Sequence, residues 1–160
     1  MHALRAFSLR TGSWTRQRGL SSWLKLMVLL KEVNSPDAGW DLQQFVREKE
    51  YFKKRSTWPV FLRWTCGILH GFPEYDEVEQ RYEDVKEEAD EFLRKVYFAN
   101  VKKIAGGVKA NHTDVEHHMQ ETGELLLKQI RIVNPDLVLC CGDVIFQGVH
   151  QLLKRVGPHI

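Results

Sequence analysis

Positions 137–141 read Leu-Val-Leu-Cys-Cys without a polar break, with Pro135-Asp136 before them and Gly142-Asp143 after. A short continuous apolar run of this kind predicts a strand covered on both faces. Val96-Tyr97-Phe98-Ala99-Asn100-Val101 is a second short run, rich in aromatic and β-branched residues and bounded by charge, and it too predicts a buried strand. Between them, Thr113-Asp114-Val115-Glu116 has the spacing of a capping box. It would open a long helix carrying Leu125, Leu126, Ile130 and Val133, which must stop before Pro135. Gly142-Asp143 begins a last helix with Ile145, Val149, Leu152 and Leu153.

Two strands joined by a helix in this way form a right-handed crossover with the strands parallel. In an open parallel sheet, ligands bind outside the carboxyl ends of the strands. Asn100, Gly106, Gly107, Gly142 and Asp143 are therefore expected on or near a functional rim.

The pattern before residue 95 is helical. Trp23, Leu26, Met27, Leu30 and Val33 follow helical spacing after a Ser21-Ser22 cap, and 41–52, 58–71 and 74–94 are three further candidates. Pro59 falls in the first turn of the third, where its missing N–H is harmless. In the fourth, Val78, Tyr82, Val85, Ala89, Phe92 and Leu93 form the apolar stripe. The expected organisation is one α/β domain over 1–160, with a small parallel sheet, flanking helices, a mainly helical 1–95 and a βαβα unit over 96–155.

The length of 160 residues suffices for one core. Three cysteines, two of them adjacent in a strand, do not make a disulfide framework, so a reducing compartment, the cytoplasm, is expected. The longest apolar stretch, 24–30, is interrupted by Lys25 and is far too short to cross a bilayer, so no membrane partner is expected.

The net charge of +2 excludes little, but its distribution is uneven. Residues 1–31 hold six lysines and arginines and no acid, which is also the composition of a transit peptide, although Gly12 and Gly19 interrupt it. Lys102, Lys103 and Lys109 form a second basic cluster, whereas 74–91 holds ten carboxylates against Arg81 and Lys86. Such separation can turn a positive face to a polyanion. Arg10, Arg16 and Arg18 with Trp14 have the composition of a backbone-binding loop. His112, Asp114, His117 and His118 crowd one helix start, with Asp114 and His118, or His117 and Glu121, one turn apart. No His-x-x-x-His pair accompanies them, and neither a metal nor another cofactor is expected.

The order Val96-Tyr97-Phe98-Ala99-Asn100-Val101-Lys102-Lys103, then Gln129-Ile130, then Pro135 and the 137–141 strand up to Gly142, resembles the middle of the uracil-DNA glycosylase superfamily. There the strand pattern V-Y-hydrophobic-T-N-V-V-K precedes a helix with Q-I and a strand that opens on Pro and ends on Gly. The resemblance implies a three-layer α/β fold and DNA as partner, with Asn100 holding a flipped base. It also implies that Lys102, Lys103, Lys109, Arg16 and Arg18 hold phosphates.

The superfamily's first motif, an acidic or amide residue and a Pro-Gly turn after the first strand, would fall in 4–20, beyond a remnant strand at 3–9. Because no Asp, Glu or Asn precedes Glu32, no catalytic residue is assigned. The histidine loop after a later strand and the four cysteines of an iron–sulfur cluster are also missing. The expectation is a truncated or divergent member, and the rival is a non-catalytic α/β module that binds nucleic acid or protein.

Overall fold

The structure is a computed structural model, and it describes residues 5–8 (backbone only), 24–32, 44, 58–87 (83–87 backbone only), 96–104 and 111–156. The chain divides into two compact units. One consists of Met1–Arg10, Lys25–Trp40 and Tyr97–Ile160, the other of Thr11–Leu24 and Asp41–Val96.

The first unit is built on a sheet of strands β1 (Arg5–Ser8), β2 (Leu26–Leu30), β3 (Val96–Asn100) and β4 (Leu137–Cys140), in the spatial order β1-β4-β2-β3. β2 lies parallel to β4, with Leu26 opposite Leu137 and Leu29 opposite Cys140. β1 runs antiparallel along the other side of β4, pairing Arg5 with Cys140 and Ser8 with Leu137. The parallel part of the sheet is thus β4-β2-β3.

One sequence expectation is corrected here. Residues 26–30 form a strand, where a helix over 23–33 was expected. Leu26, Met27, Val28 and Leu29 are each no more than 1% exposed, so both faces of β2 are covered. A strand buried on both sides needs no polar alternation, and a run apolar at every position from 26 to 30 satisfies helical spacing through 26, 27 and 30 as readily as it satisfies a strand. Further, β3 and β4 are not adjacent, because β2 lies between them. The short strand expected near 3–9 is present as β1.

Two helices of this unit, α3 (His112–Val133) and α4 (Asp143–Val156), pack on one face of the sheet. Met27, Leu29, Ala99, Val101, Val138 and Cys140 meet Val115, Met119, Leu126, Leu127 and Ile130 from α3 and Val144, Ile145, Val149 and Leu152 from α4 in one core. The two helices approach closely because Gly148 faces Met119, whose Cε would lie 2.3 Å from a Cβ at that position.

The expected capping box at 113–116 does not open α3. Asn111, two residues earlier, is the cap, its Oδ1 accepting the Thr113 N–H at 3.1 Å. Asn134, left-handed at φ 47°, closes the helix with its N–H on Ile130 O. Asp143 in the first turn of α4 and Lys154 and Arg155 in its last oppose the helix dipole ends.

The second unit contains helices α1 (Trp58–Leu69) and α2 (Tyr75–Glu87). Pro59 lies in the first turn of α1, as its missing N–H requires, and Phe61, Leu62, Cys66, Ile68 and Leu69 are buried. Arg63 ties the pair together: it forms an ion pair with Glu79 and lies 4.1 Å over the Tyr82 ring. Val78 and Tyr82 are buried on α2, as its stripe predicts. Of the segment 41–52, and of 88–95, nearly all lies outside the described residues.

Candidate functional site

Backbone pairing holds three chain segments level at the carboxyl ends of the parallel strands. The Val101 N–H donates to Leu30 O at 2.8 Å and the Lys102 N–H to Lys31 O at 2.9 Å, which carries the β2–β3 contact past Asn100. The Cys141 N–H donates to Leu29 O at 2.9 Å on the other side of β2. Lys31-Glu32, Asn100 to Lys103 and Cys141 to Asp143 are thereby gathered on one rim, which the start of α3 joins through His112 and Asp114.

Asn100 ends β3 half-buried. Its neighbours Ala99 and Val101 turn into the core under α3 and α4, so strand alternation turns Asn100 to the opposite face of the sheet. Its backbone oxygen accepts a hydrogen bond from Lys103 Nζ at 2.6 Å, and its side-chain amide makes no hydrogen bond among the described residues. A primary amide carries two donors and an acceptor, and among the described residues none of them is taken up.

Lys102 does not stand on the surface. It is 5% exposed, and its ammonium pairs with Asp114 and lies 2.8 Å from Glu32 Oε2. The Glu32 contact is close but poorly directed, leaving Oε2 without a well-aligned hydrogen bond. The hydrogen bond to Asp114, then the close Glu32 carboxylate, holds the Lys102 ammonium above the usual lysine range, while the same Lys102–Asp114 hydrogen bond pulls Asp114 below the usual carboxylate range. The sequence analysis expected Lys102 to hold a phosphate; in the structure its ammonium is instead held between two carboxylates.

Lys103 is exposed, but its ammonium donates to Asn100 O and, at 2.9 Å, to Gln129 Oε1. Partial burial of the ammonium pushes its pKa down. Two residues that carry the family resemblance, Lys103 and Gln129, therefore touch, and their spacing has a structural cause: the lysine fastens the β3 end to α3.

Gly142 and Asp143 follow β4 on the rim, with Asp143 exposed in the first turn of α4. Cys141 is no nucleophile, because burial pushes its thiol up to about 12, as it does that of Cys140. His118 Nδ1 is 3.0 Å from Asp114 O, and His117 Nε2 is 3.2 Å from Glu121 Oε1. Among the described residues no three His, Cys, Asp or Glu side chains converge as a metal would need. Lys109, Gly106, Gly107, Arg16 and Arg18 lie outside the described residues.

Sequence reasoning missed Lys31 and Glu32. The signal was present: the apolar run 26–30 is followed directly by the charged pair Lys31-Glu32. Taking 23–33 for a helix hid it.

Comparison with protein-family models, with curated proteins and with solved structures finds no match.

Proposed function

We propose that this chain is a uracil-DNA glycosylase-like protein that recognises a uracil-like base in DNA at the carboxyl ends of β2, β3 and β4. The observation that carries this reading is the amide of Asn100, unengaged among the described residues, at the end of a parallel strand. The amide oxygen accepts the N3–H of uracil while the NH₂ donates to O4; cytosine reverses both demands, so the same amide rejects it. A base reaches such a rim only by leaving its stack, which is the manner of enzymes that act on single bases.

Glu32 supports hydrolysis as the reaction. It follows β2 on the same rim and is the residue here that could align a water for attack on the sugar C1′, with the base departing as the N-glycosidic bond breaks. A second reading is favoured by the Lys102–Glu32 contact itself, since a carboxylate buried against an ammonium has little room to hold a water: a module that binds the base without cleaving it.

An excision assay separates the two. Single-stranded and duplex oligonucleotides carrying one deoxyuridine are incubated with the wild type, Asn100→Ala and Glu32→Gln. Cleavage lost in both variants supports the glycosylase. Binding that prefers deoxyuridine without cleavage supports the module, and neither cleavage nor a preference for deoxyuridine removes both.

A further inference from the structure

Lys102 and Lys103 are neighbours in sequence with opposite surroundings. Lys102 lies between two carboxylates, which keep its ammonium charged. Lys103 meets no carboxylate among the described residues: its Nζ donates to Asn100 O at 2.6 Å and to Gln129 Oε1 at 2.9 Å, both of them uncharged oxygens. Two acceptors match the two N–H groups of an uncharged primary amine and leave its lone pair uncommitted. An ammonium would carry a third donor that no described group accepts. Burial acts in the same direction and lowers the pKa of this amine, as desolvation does for nucleophilic lysines.

The two hydrogen bonds also fix where the amine stands. Asn100 O belongs to the residue whose amide is read as the base contact, and Gln129 belongs to α3, so the flexible lysine stem is held at the end of β3. A base whose edge meets the Asn100 amide keeps its sugar within one nucleoside's length of that residue, inside the sweep of the Lys103 side chain. Departure of the base leaves C1′ as a hemiacetal carbon that opens to an aldehyde, and a carbonyl carbon is what an uncharged lysine attacks.

We propose that Lys103 is a nucleophile that captures the abasic sugar as an imine. Nζ gives its lone pair to C1′ of the open-chain aldehyde, and the carbonyl π bond breaks onto oxygen. The resulting carbinolamine loses that oxygen as water, with one proton from nitrogen and one from solvent, and a protonated imine remains. Hydrolysis reverses the step, and neither an oxidant nor a reductant enters it. The inference rests on the base-recognition reading for its substrate and adds a second activity at the same rim, covalent retention of the abasic product.

The test incubates the full chain at neutral pH with an oligonucleotide that carries one preformed abasic site. Sodium cyanoborohydride, which delivers hydride to an iminium carbon, then makes the bond permanent. A denaturing gel should show one protein–DNA adduct, and mass spectrometry of its peptides should place the bond on Lys103 of the wild type. Lys103→Arg keeps the positive charge that a phosphate contact would need but cannot form the imine, so it should lose the adduct. Lys154→Gln, at an exposed lysine in the last turn of α4, should retain it. No adduct with the wild type, an adduct mapped to another amine, or one that survives Lys103→Arg overturns the proposal. Because the abasic site is preformed, uracil excision is judged separately. Excision without capture removes the lysine nucleophile and leaves the base-recognition reading standing; capture at Lys103 without excision does the reverse for hydrolysis.

Discussion

Lys102 Nζ lies 2.8 Å from Glu32 Oε2, and the two side chains are 7% and 4% exposed. An ion pair withdrawn from water in this way gains stability only while both charges are present, because the desolvation of either alone is uncompensated. Lys102→Met is therefore predicted to lower the melting temperature more than Glu32→Gln does, since it strands two carboxylates rather than one ammonium that still has Asp114. In the double variant the losses should fall short of additive. Thermal unfolding of the four proteins measures the coupling, and strict additivity would show that the pair contributes nothing.

The same network sets a pH window. The Asp114 pKa is depressed, so its contribution is present above the ordinary aspartate value of 3.8 and is lost as pH falls through the lower folded value. The Lys102 pKa is raised, so its contribution is present below the ordinary 10.5 and is lost as pH rises through the higher folded value. Stability from this source should be flat between these limits and decline outside them. Asp114→Asn should flatten the acid limb of a denaturation series, and an acid limb identical to that of the wild type would contradict the assignment.

Gly142→Ala should be costly for its size. The added methyl meets the Lys31 stem, and φ +132° is a conformation that alanine avoids, at about 1–3 kcal/mol. Urea unfolding should show that loss. Full stability in this variant would mean that the β4–α4 turn is not held as described.

Cys140 and Cys141 should resist alkylation in the folded protein. With both thiols pushed up to about 12 by burial, almost no thiolate exists at pH 8. Iodoacetamide followed by mass spectrometry should find them modified only after denaturation. Rapid labelling of either in the native state would place it in a different environment.

How much of this could be read from the sequence depends on how many faces each element buries. β4 and α4 stand where the pattern puts them, because a run such as Leu137 to Cys140 followed by Gly142 has one ready interpretation. β2 was illegible for the opposite reason: Leu26 to Leu29 are buried on both faces, which erases the two-residue period, and the surviving apolar spacing suits a helix equally well. With β2 unseen, the order of the sheet and the Lys31-Glu32 pair at its end were out of reach. Lys102 and Lys103 were legible as a cluster, but their fates depend on Glu32, Asp114 and Gln129, which are distant in sequence. The start of α3 was misplaced by two residues' worth of competing caps, Asn111 against Thr113, since both residue types can accept from a first-turn N–H.

The role of Asn100 is tested most directly by base discrimination. Affinities of the wild type and Asn100→Ala are measured for two oligonucleotides that differ at one position, a 2′-fluorinated deoxyuridine that resists glycosidic cleavage against its cytidine counterpart. A bidentate amide contact is worth about 1–3 kcal/mol of discrimination, so the wild type should prefer uracil by roughly tenfold or more, and Asn100→Ala should bind both alike. Equal affinities in the wild type, or a preference that survives in Asn100→Ala, would contradict a base-reading amide at position 100.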